Sequence, residues 1–262
     1  MIQIADAFLA VLLAPECASC GRVLDEPTSG PVCRACWAAA SRVAGPFCDM
    51  CGDPLASWRV VSAAESVCVR CRRAPAAFDR GRAAGEYEGT LREIIHAFKY
   101  DGRRSLARPL AAMMRTAGSE LLRDADFVVP VPLHPWRRLR RGFNQAEELA
   151  TWLERPVVNA LRRSRATQPQ AGLTARQRRR NVRNAFGLSR RLRGPSLQDA
   201  TVVLVDDVRT TGATLDACAR VLKNAGARNV RVLTVARAGR AFTNTPRGSV
   251  SAGPETPMIP EA

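Results

Sequence analysis

The 262-residue sequence predicts an α/β protein, in which a small cysteine-rich module precedes a parallel sheet with flanking helices. One observation is an alternation of helix-like and strand-like stretches, typical of a parallel sheet. The other is the position of the cysteines, because eight of the nine lie between residues 17 and 71. The helix-like stretches are about 89–118, 143–154 and 213–225, and the strand-like stretches are 126–131, 157–161, 201–206 and 229–236.

The first 16 residues are predicted to form a short apolar helix that docks on the rest of the chain. Ile4, Phe8 and Val11 fit one face of such a helix. The segment lacks a basic start and contains Asp6, which argues against a signal peptide. The sequence contains no run of about 18 apolar residues, so we expect no membrane span and a cytoplasmic protein.

Residues 17–80 contain four Cys-x-x-Cys pairs and are predicted to form a double zinc-ribbon module. Each pair directs two thiolates to one point, and two pairs complete a tetrahedral shell. We therefore expect two structural Zn²⁺ ions, bound by consecutive pairs or in a cross-braced arrangement of the same residues. A disulfide scaffold and an iron–sulfur cluster are the alternatives. The ligands are Cys17, Cys20, Cys33, Cys36, Cys48, Cys51, Cys68 and Cys71.

Residues 81–240 are predicted to form the sheet domain. The Arg-rich stretch 162–195 interrupts the alternation and is predicted to be a long mobile loop or a hairpin. Cys218 lies on the apolar face of a predicted helix and is interpreted as a small core residue. After Arg240, four prolines and many small polar residues predict a disordered tail over 241–262.

The stretch 202–222, VVLVDDVRTTGATLDACARVL, predicts a site for a phosphorylated sugar. Asp206 and Asp207 follow an apolar strand, at the end where open α/β sheets bind ligands. Gly212 lets the backbone approach an anion, and the threonines with the helix N–H groups can surround a phosphate. The carboxylates would repel that phosphate, but they can accept hydrogen bonds from two ribose hydroxyls. A capped strand–helix turn without a ligand is the alternative.

This stretch resembles the phosphoribosyl pyrophosphate (PRPP) signature of the type I phosphoribosyltransferases. Three further features resemble the ComF family, a branch of these transferases with a double zinc ribbon. They are the cysteine module, the segment VPVPLHPWRRLRRGFNQAEELA at 129–150, and the pattern Gln168…Leu173…Arg178…Asn181…Ala185-Phe186. The resemblance covers about residues 5–238 and implies a type I phosphoribosyltransferase-like sheet that binds PRPP with Mg²⁺.

The resemblance also assigns the binding residues. The implied PRPP-binding positions are Asp206, Asp207, Thr210, Thr211, Gly212, Ala213 and Thr214. Arg141 begins the string Arg-Gly-Phe-Asn-Gln, which matches the family at the expected pyrophosphate loop, so Asp206, Asp207 and Arg141 are the candidate catalytic residues. No enzyme nucleophile is needed, because electrostatic stabilisation of the leaving pyrophosphate can carry the reaction. His96 and His134 are interpreted as structural.

A formal net charge of +16 favours polyanionic partners. The candidate single-stranded DNA contacts are Arg137, Arg138 and Arg140, before a predicted helix, and Arg178, Arg179 and Arg180, in the predicted mobile loop. Trp136 and Phe143 could add base stacking, although Trp136 is more typical of a core anchor. A solvated basic face, enriched in arginine by genome composition, is the alternative.

Two functions are therefore predicted. The first is a Mg²⁺-dependent phosphoribosyltransferase, and the second is a PRPP-responsive protein that binds single-stranded nucleic acid without catalysis. The resemblance implies a role in DNA uptake during natural transformation and a competence helicase-type protein partner.

Overall fold

A computed structural model describes residue Asp6 and residues 13–55, 66–163, 185–189 and 196–239 of the chain. Its main sheet has four parallel strands in the order β1-β6-β5-β2. A separate two-stranded antiparallel sheet pairs β3 with β4. The strands are β1 (Arg80–Glu86), β2 (Phe127–Pro130), β3 (Leu161–Arg163), β4 (Phe186–Leu188), β5 (Thr201–Arg209) and β6 (Asn229–Arg237).

Two helices lie in the cysteine-rich module, and the others accompany the sheet. They are α1 (Arg34–Ala39), α2 (Val69–Arg73), α3 (Gly89–Tyr100), α4 (Ala107–Ala117), α5 (Ser119–Leu122), α6 (Pro135–Arg141), α7 (Gln145–Ala150) and α8 (Ala213–Asn224). Short 3₁₀ turns occur at Pro27–Ser29 and Arg104–Leu106.

The sheet is buried on both faces, which explains the continuous apolar run of β5. Side chains alternate along a strand, so Val203 and Val205 pack in the core under α3, α4 and α7. Val202 and Leu204 pack in the opposite core with α8. Cys218 lies fully buried in this second core, as predicted. The predicted α/β class with a parallel sheet and flanking helices is confirmed.

Several predicted elements differ in extent. The predicted helix at 89–118 is divided between α3 and α4, because the chain turns at Gly102, whose φ is +65°. The predicted strand at 157–161 is wrong: Val157 makes only a parallel bridge to Val128. The end of that stretch begins β3, which pairs antiparallel with β4, so both strands lie largely within the predicted loop or hairpin at 162–195. Residues 164–184 and 190–195 lie outside the described residues.

The sequence did not predict β1, the edge strand of the sheet. Its outer edge is covered by the segment that follows the first cysteine cluster. The N–H of Glu86 donates to the Ser41 carbonyl (3.1 Å), and the N–H of Val43 donates to the Ala84 carbonyl (3.3 Å). A Cβ atom at Gly85 would lie 2.5 Å from the Ser41 oxygen, so this close approach requires glycine. The cysteine module thus covers an edge that could otherwise pair with another chain.

The predicted terminal segments are described only in part. Asp6 is helical and buried, and its carboxylate accepts hydrogen bonds from the N–H (2.9 Å) and the hydroxyl (2.7 Å) of Thr28. The rest of the predicted N-terminal helix up to residue 12, and the predicted tail at 241–262, lie outside the described residues. Within the described ranges, no helix is both long enough and apolar enough to cross a bilayer.

Candidate functional site

The eight paired cysteines form two groups of four, each taken from consecutive pairs. In each group the four Sγ atoms all lie within 4.8 Å of one another. The Sγ–Sγ distances are 3.8 Å for Cys17–Cys36, 3.9 Å for Cys20–Cys33 and 3.8 Å for Cys51–Cys68. A tetrahedral Zn²⁺ site with Zn–S bonds of about 2.3 Å has sulfur–sulfur edges of ~3.8 Å. The thiolates therefore fit zinc closely, and four sulfurs per ion make both sites structural.

A cleft opens where the parallel strands of the main sheet end. Its volume is about 410 Å³, within the range of small-molecule sites. Residues that follow β1 and β2 line it together with the end of β5 and the start of α8. Ligands of open α/β sheets bind at this edge.

Asp206 and Asp207 both line the cleft, but they lie within β5, which continues to Arg209. Alternation along the strand places Asp206 on the α8 side and Asp207 on the α3 side of the sheet. Oδ1 of Asp207 forms an ion pair with Nζ of Lys99 at 3.0 Å, and both side chains are largely buried. Oδ1 of Asp206 accepts a hydrogen bond from the N–H of Asp207 at 2.9 Å.

The environment of Asp206 favours its protonated form. Burial raises the pKa of Asp206 to about 7, and the neighbouring charge of Asp207 acts in the same direction. The N–H of Asp207 and the positive charges of Lys99 and Arg163 oppose this rise without cancelling it. A carboxyl group that titrates near neutrality in a cleft is typical of a functional site.

The loop after β5 has the geometry of an anion-binding turn. Gly212 caps α8 in the left-handed conformation (φ +77°), and an added Cβ would meet only Cδ of Arg209, at 4.0 Å. Thr210, Gly212, Ala213 and Thr214 line the cleft. Thr211 does not; its hydroxyl accepts a weak hydrogen bond from the N–H of Ala213 at 3.4 Å.

Three arginines also line the cleft. Arg141 donates to Oε1 of Gln145 (3.1 Å) and to the hydroxyl of Tyr100 (3.0 Å), and its guanidinium lies 4.8 Å from the centre of the Tyr100 ring. Arg137 and Arg163 line the same cleft. Burial lowers the pKa of both, with a further contribution from Arg141 at Arg137 and from Arg137 at Arg163. Three like charges converge here, as expected of a site that receives an anion.

Gln145 contributes a further donor to the cleft. The residue is 2% exposed, and its side-chain Nε2 has no hydrogen-bond partner in the described part of the chain. Because buried polar atoms are nearly always paired, this donor fits a ligand oxygen in the cleft that Gln145 lines.

The predicted nucleic-acid contacts are divided by the structure. Arg137 lines the cleft, whereas Arg138 and Arg140 are exposed; all three lie within α6, which precedes α7. Trp136 is 75% exposed, so its interpretation as a core anchor is wrong. Phe143 is buried against Phe98 and is not available for base stacking. The remaining predicted contacts, Arg178, Arg179 and Arg180, lie outside the described residues.

The structure adds cleft residues that the sequence analysis did not single out. Lys99 and Tyr100 end α3, Asn144 and Gln145 begin α7, and Arg163 ends β3. A signal existed for Lys99, which is one of only two lysines among forty basic residues. No local signal identified Arg163, because its place depends on how the β3–β4 pair packs. His134 has the structural role expected of it: its Nδ1 accepts from the N–H of Trp136 and caps α6.

Fold and sites together define a phosphoribosyltransferase-like protein with a double zinc ribbon. The double zinc ribbon family matches residues 8–72, and the phosphoribosyl transferase domain family matches residues 138–252. Competence protein F of Haemophilus influenzae is 34% identical over 203 residues, which cover 74% of this chain and 85% of that protein.

Two further relatives are similar. DNA utilization protein YhgH of Escherichia coli K12 is 33% identical over 79% of this chain and 90% of that protein. Competence protein ComFC of Bacillus subtilis is 29% identical over 74% of this chain and 79% of that protein. The chain belongs to the ComF family, as its motifs predicted.

Proposed function

We propose that the cleft at the carboxyl ends of the strands binds PRPP together with Mg²⁺. The observation that carries this proposal is the distribution of charge within one cleft. Two carboxylates and a glycine-capped helix start stand at the end of β5, and three arginines line the same cleft. PRPP has the complementary arrangement, with ribose hydroxyls between a 5-phosphate and a pyrophosphate.

Each part of PRPP then has a partner. Asp206 and Asp207 accept hydrogen bonds from the ribose hydroxyls, and the loop 210–214 with the start of α8 surrounds the 5-phosphate. Arg137, Arg141 and Nε2 of Gln145 face the pyrophosphate. The ion pair between Lys99 and Oδ1 of Asp207 leaves Oδ2 free of that contact, so the carboxylate can accept a hydroxyl while its charge stays balanced.

Mg²⁺ fits this donor set because carboxylate oxygens and substrate phosphates are its usual ligands. The metal supplies positive charge against the pyrophosphate. The chain's own residues orient the sugar and hold the pyrophosphate by bidentate donors, to which arginine is suited.

We further propose that the protein is a pentosyl transferase. An acceptor nucleophile forms a bond to C1 of the ribose, the bond from C1 to the pyrophosphate oxygen breaks, and pyrophosphate leaves with that electron pair. A proton leaves the acceptor if its nucleophilic atom carries one. Arg141 and Arg137 stabilise the charge that grows on the leaving group. This assignment gives Asp206, Asp207 and Arg141 the catalytic roles.

A second candidate function is supported by the surface of α6. Trp136 is 75% exposed and Leu139 is 78% exposed, one turn apart, with Arg138 and Arg140 exposed on the same helix. An aromatic side chain among arginines can stack a base while the arginines contact phosphates. The protein would then bind single-stranded DNA in a PRPP-dependent manner without turnover.

The names of the relatives support a role in DNA uptake or DNA use in either case. A competence helicase-type protein partner and a cytoplasmic location belong to the same proposal.

Pyrophosphate release separates the two functions. We would incubate the protein with PRPP, Mg²⁺ and, in turn, nucleobases, nucleosides and single-stranded DNA. Stoichiometric or catalytic release that depends on an acceptor, and that Arg141→Ala abolishes, supports the transferase. No release, combined with DNA affinity that changes on adding PRPP and falls in Trp136→Ala, supports the binding protein. If the protein neither binds PRPP nor releases pyrophosphate from it, both proposed functions are rejected.

A further inference from the structure

Asp53, two residues after the cysteine ligand Cys51, is the centre of an ion-pair network that reaches the cleft. Its Oδ1 accepts from Nη2 of Arg209 (2.5 Å) and from Nη1 of Arg237 (3.1 Å). Its Oδ2 accepts from Nη2 of Arg70 at 2.6 Å. Arg209 and Arg237 are register partners at the ends of β5 and β6, so one carboxylate from the cysteine module joins both central strands.

The contact with Arg209 is shielded from water. The Arg209 side chain is 4% exposed and that of Asp53 is 19% exposed. Removal of one partner from such a pair leaves a charge uncompensated in a poorly solvated place, which is strongly unfavourable.

Arg209 connects this network to the ligand loop. It is the last residue of β5 and directly precedes Thr210, and it lines the cleft itself. The N–H of Ala238 donates to its carbonyl at 2.8 Å. Cδ of Arg209 lies 4.0 Å from the position where a Cβ of Gly212 would stand. The Arg209 side chain therefore lies beside the turn at Gly212.

The second cysteine cluster fixes the position of Asp53. The carbonyl of Asp53 accepts from the N–H of Cys48 at 2.8 Å. Gly52 has a φ of +69°, and an added Cβ would lie 2.1 Å from the carbonyl oxygen of Gly81 in β1. The turn at Gly52 therefore packs directly against the main sheet, and this contact fixes the position of Asp53 relative to Arg209.

We propose that Asp53 is a positioning residue, which acts through Arg209 to hold the loop 210–214 in its anion-receiving conformation. The ligand-binding loop of the transferase domain thus depends on the second cysteine cluster. The consequence for PRPP affinity rests on the proposed function, whereas the consequence for the loop's conformation does not.

The test compares Asp53→Asn with Asp49→Asn in the full chain. Both changes remove one carboxylate from the same cluster, but Asp49 is exposed, and within the described residues its backbone N–H, rather than its carboxylate, makes a hydrogen bond, to the Ser66 carbonyl at 2.7 Å. Zinc content and thermal unfolding are measured first. Hydrogen–deuterium exchange is then followed in peptides that cover residues 208–216, and PRPP is titrated with Mg²⁺.

We expect Asp53→Asn to keep both zinc ions, to exchange faster at 208–216, and to bind PRPP about tenfold more weakly, as follows if the loop adopts its anion-receiving conformation about a tenth of the time. Asp49→Asn should match the wild type, and Asp53→Glu should recover part of the affinity. In an Arg209→Gln background, Asp53→Asn should add little, because its effect passes through Arg209.

Unchanged loop exchange in Asp53→Asn, or an equal effect from Asp49→Asn, would overturn the inference. An additive effect in the double variant would also overturn it. If Asp53→Asn loses zinc, the test rests on Arg209→Gln, because Arg209 lies outside the cysteine cluster. Unchanged hydrogen exchange at 208–216 in this variant would then reject the proposed role of Asp53 and Arg209. If the wild type does not bind PRPP, the proposed function fails while the exchange experiment still decides this inference.

Discussion

Adjacent aspartates in β5 have different surroundings, because successive side chains of a strand point to opposite faces. Asp207 faces α3 and is balanced by Lys99 at 3.0 Å. Asp206 faces the α8 side, where the fully buried Cys218 lies nearby and burial raises the pKa of Asp206 to about 7. One carboxylate thus has an ion-pair partner, while the other exchanges its proton near neutrality.

Ionisation of the buried Asp206 carboxyl group should lower the stability of the folded protein as pH rises. Its pKa is about 7 in the folded protein and near the ordinary 3.8 when unfolded, so the folded state binds more protons between these values. Stability contributed by this group is therefore present below about pH 4 and is lost as pH rises to about 7. We expect Asp206→Asn to raise the melting temperature more at pH 8 than at pH 4. A gain that is equal at both pH values would contradict the raised pKa.

Gly212 is required by its backbone conformation, since its φ is +77°. Gly212→Val should destabilise the protein by about 1–2 kcal/mol, the cost of a left-handed conformation for an L-residue. The branched side chain should also obstruct the approach of a phosphate to the loop. Gly212→Asn is the matched variant, because asparagine tolerates this conformation. Thermal unfolding should rank glycine, asparagine and valine in that order, and equal stability of the two variants would exclude backbone strain.

Helices and strands could be predicted from the sequence where neighbouring residues alone specify them. The apolar run of β5, the two aspartates and the glycine before α8 are contiguous, so strand, turn and helix follow from neighbouring residues. β1 has the sequence RGRAAGE, without β-branched or large apolar residues, and forms because β6 and the cysteine module pair with its two edges. That support comes from distant parts of the chain and leaves no local pattern.

The helix α6 has a clear local pattern, but the sequence does not predict which of its faces is buried. Trp136 and Leu139 are spaced as a buried helical face would be, yet both are exposed. The sequence specifies the amphipathic spacing, but which face meets the core depends on where the chain leaves β2. The group of arginines in the cleft is another such case, because Arg163 reaches the cleft from β3, far from α6 in the sequence.

The two cysteine clusters should differ in their effect on the cleft. Cys20→Ser and Cys68→Ser should each reduce the zinc content from two ions to one, as metal analysis would show, while the strands of the main sheet remain protected from hydrogen exchange. Only Cys68→Ser disturbs the cluster that carries Asp53, so only this variant should weaken PRPP binding. Equal losses of affinity in the two variants, or an unfolded sheet in Cys68→Ser, would contradict this view.

In the whole molecule, the cysteine module contacts the main sheet at two places, and the cleft lies at the carboxyl edge of the same sheet. The first cluster leads into the segment that covers the edge of β1, and the second reaches the ends of β5 and β6 through Asp53. The sheet's carboxyl edge then presents carboxylates and arginines to one cavity. The net charge of +16 gives the surroundings a field that attracts phosphorylated ligands.

Binding of PRPP by the paired carboxylates of this cleft can be tested by one titration. PRPP with Mg²⁺ is titrated into the wild type, into Asp206→Asn/Asp207→Asn, and into the control Asp25→Asn/Asp199→Asn. The control removes two exposed carboxylates, and Asp199 lies before β5, at the strand end opposite the cleft.

Two lost charge-assisted hydrogen bonds should weaken binding by at least about tenfold in the Asp206/Asp207 variant. The control should bind like the wild type, and thermal melts should show all three proteins folded. If the wild type shows no magnesium-dependent binding at millimolar PRPP, or if both double variants bind as the wild type does, the account of this cleft is contradicted.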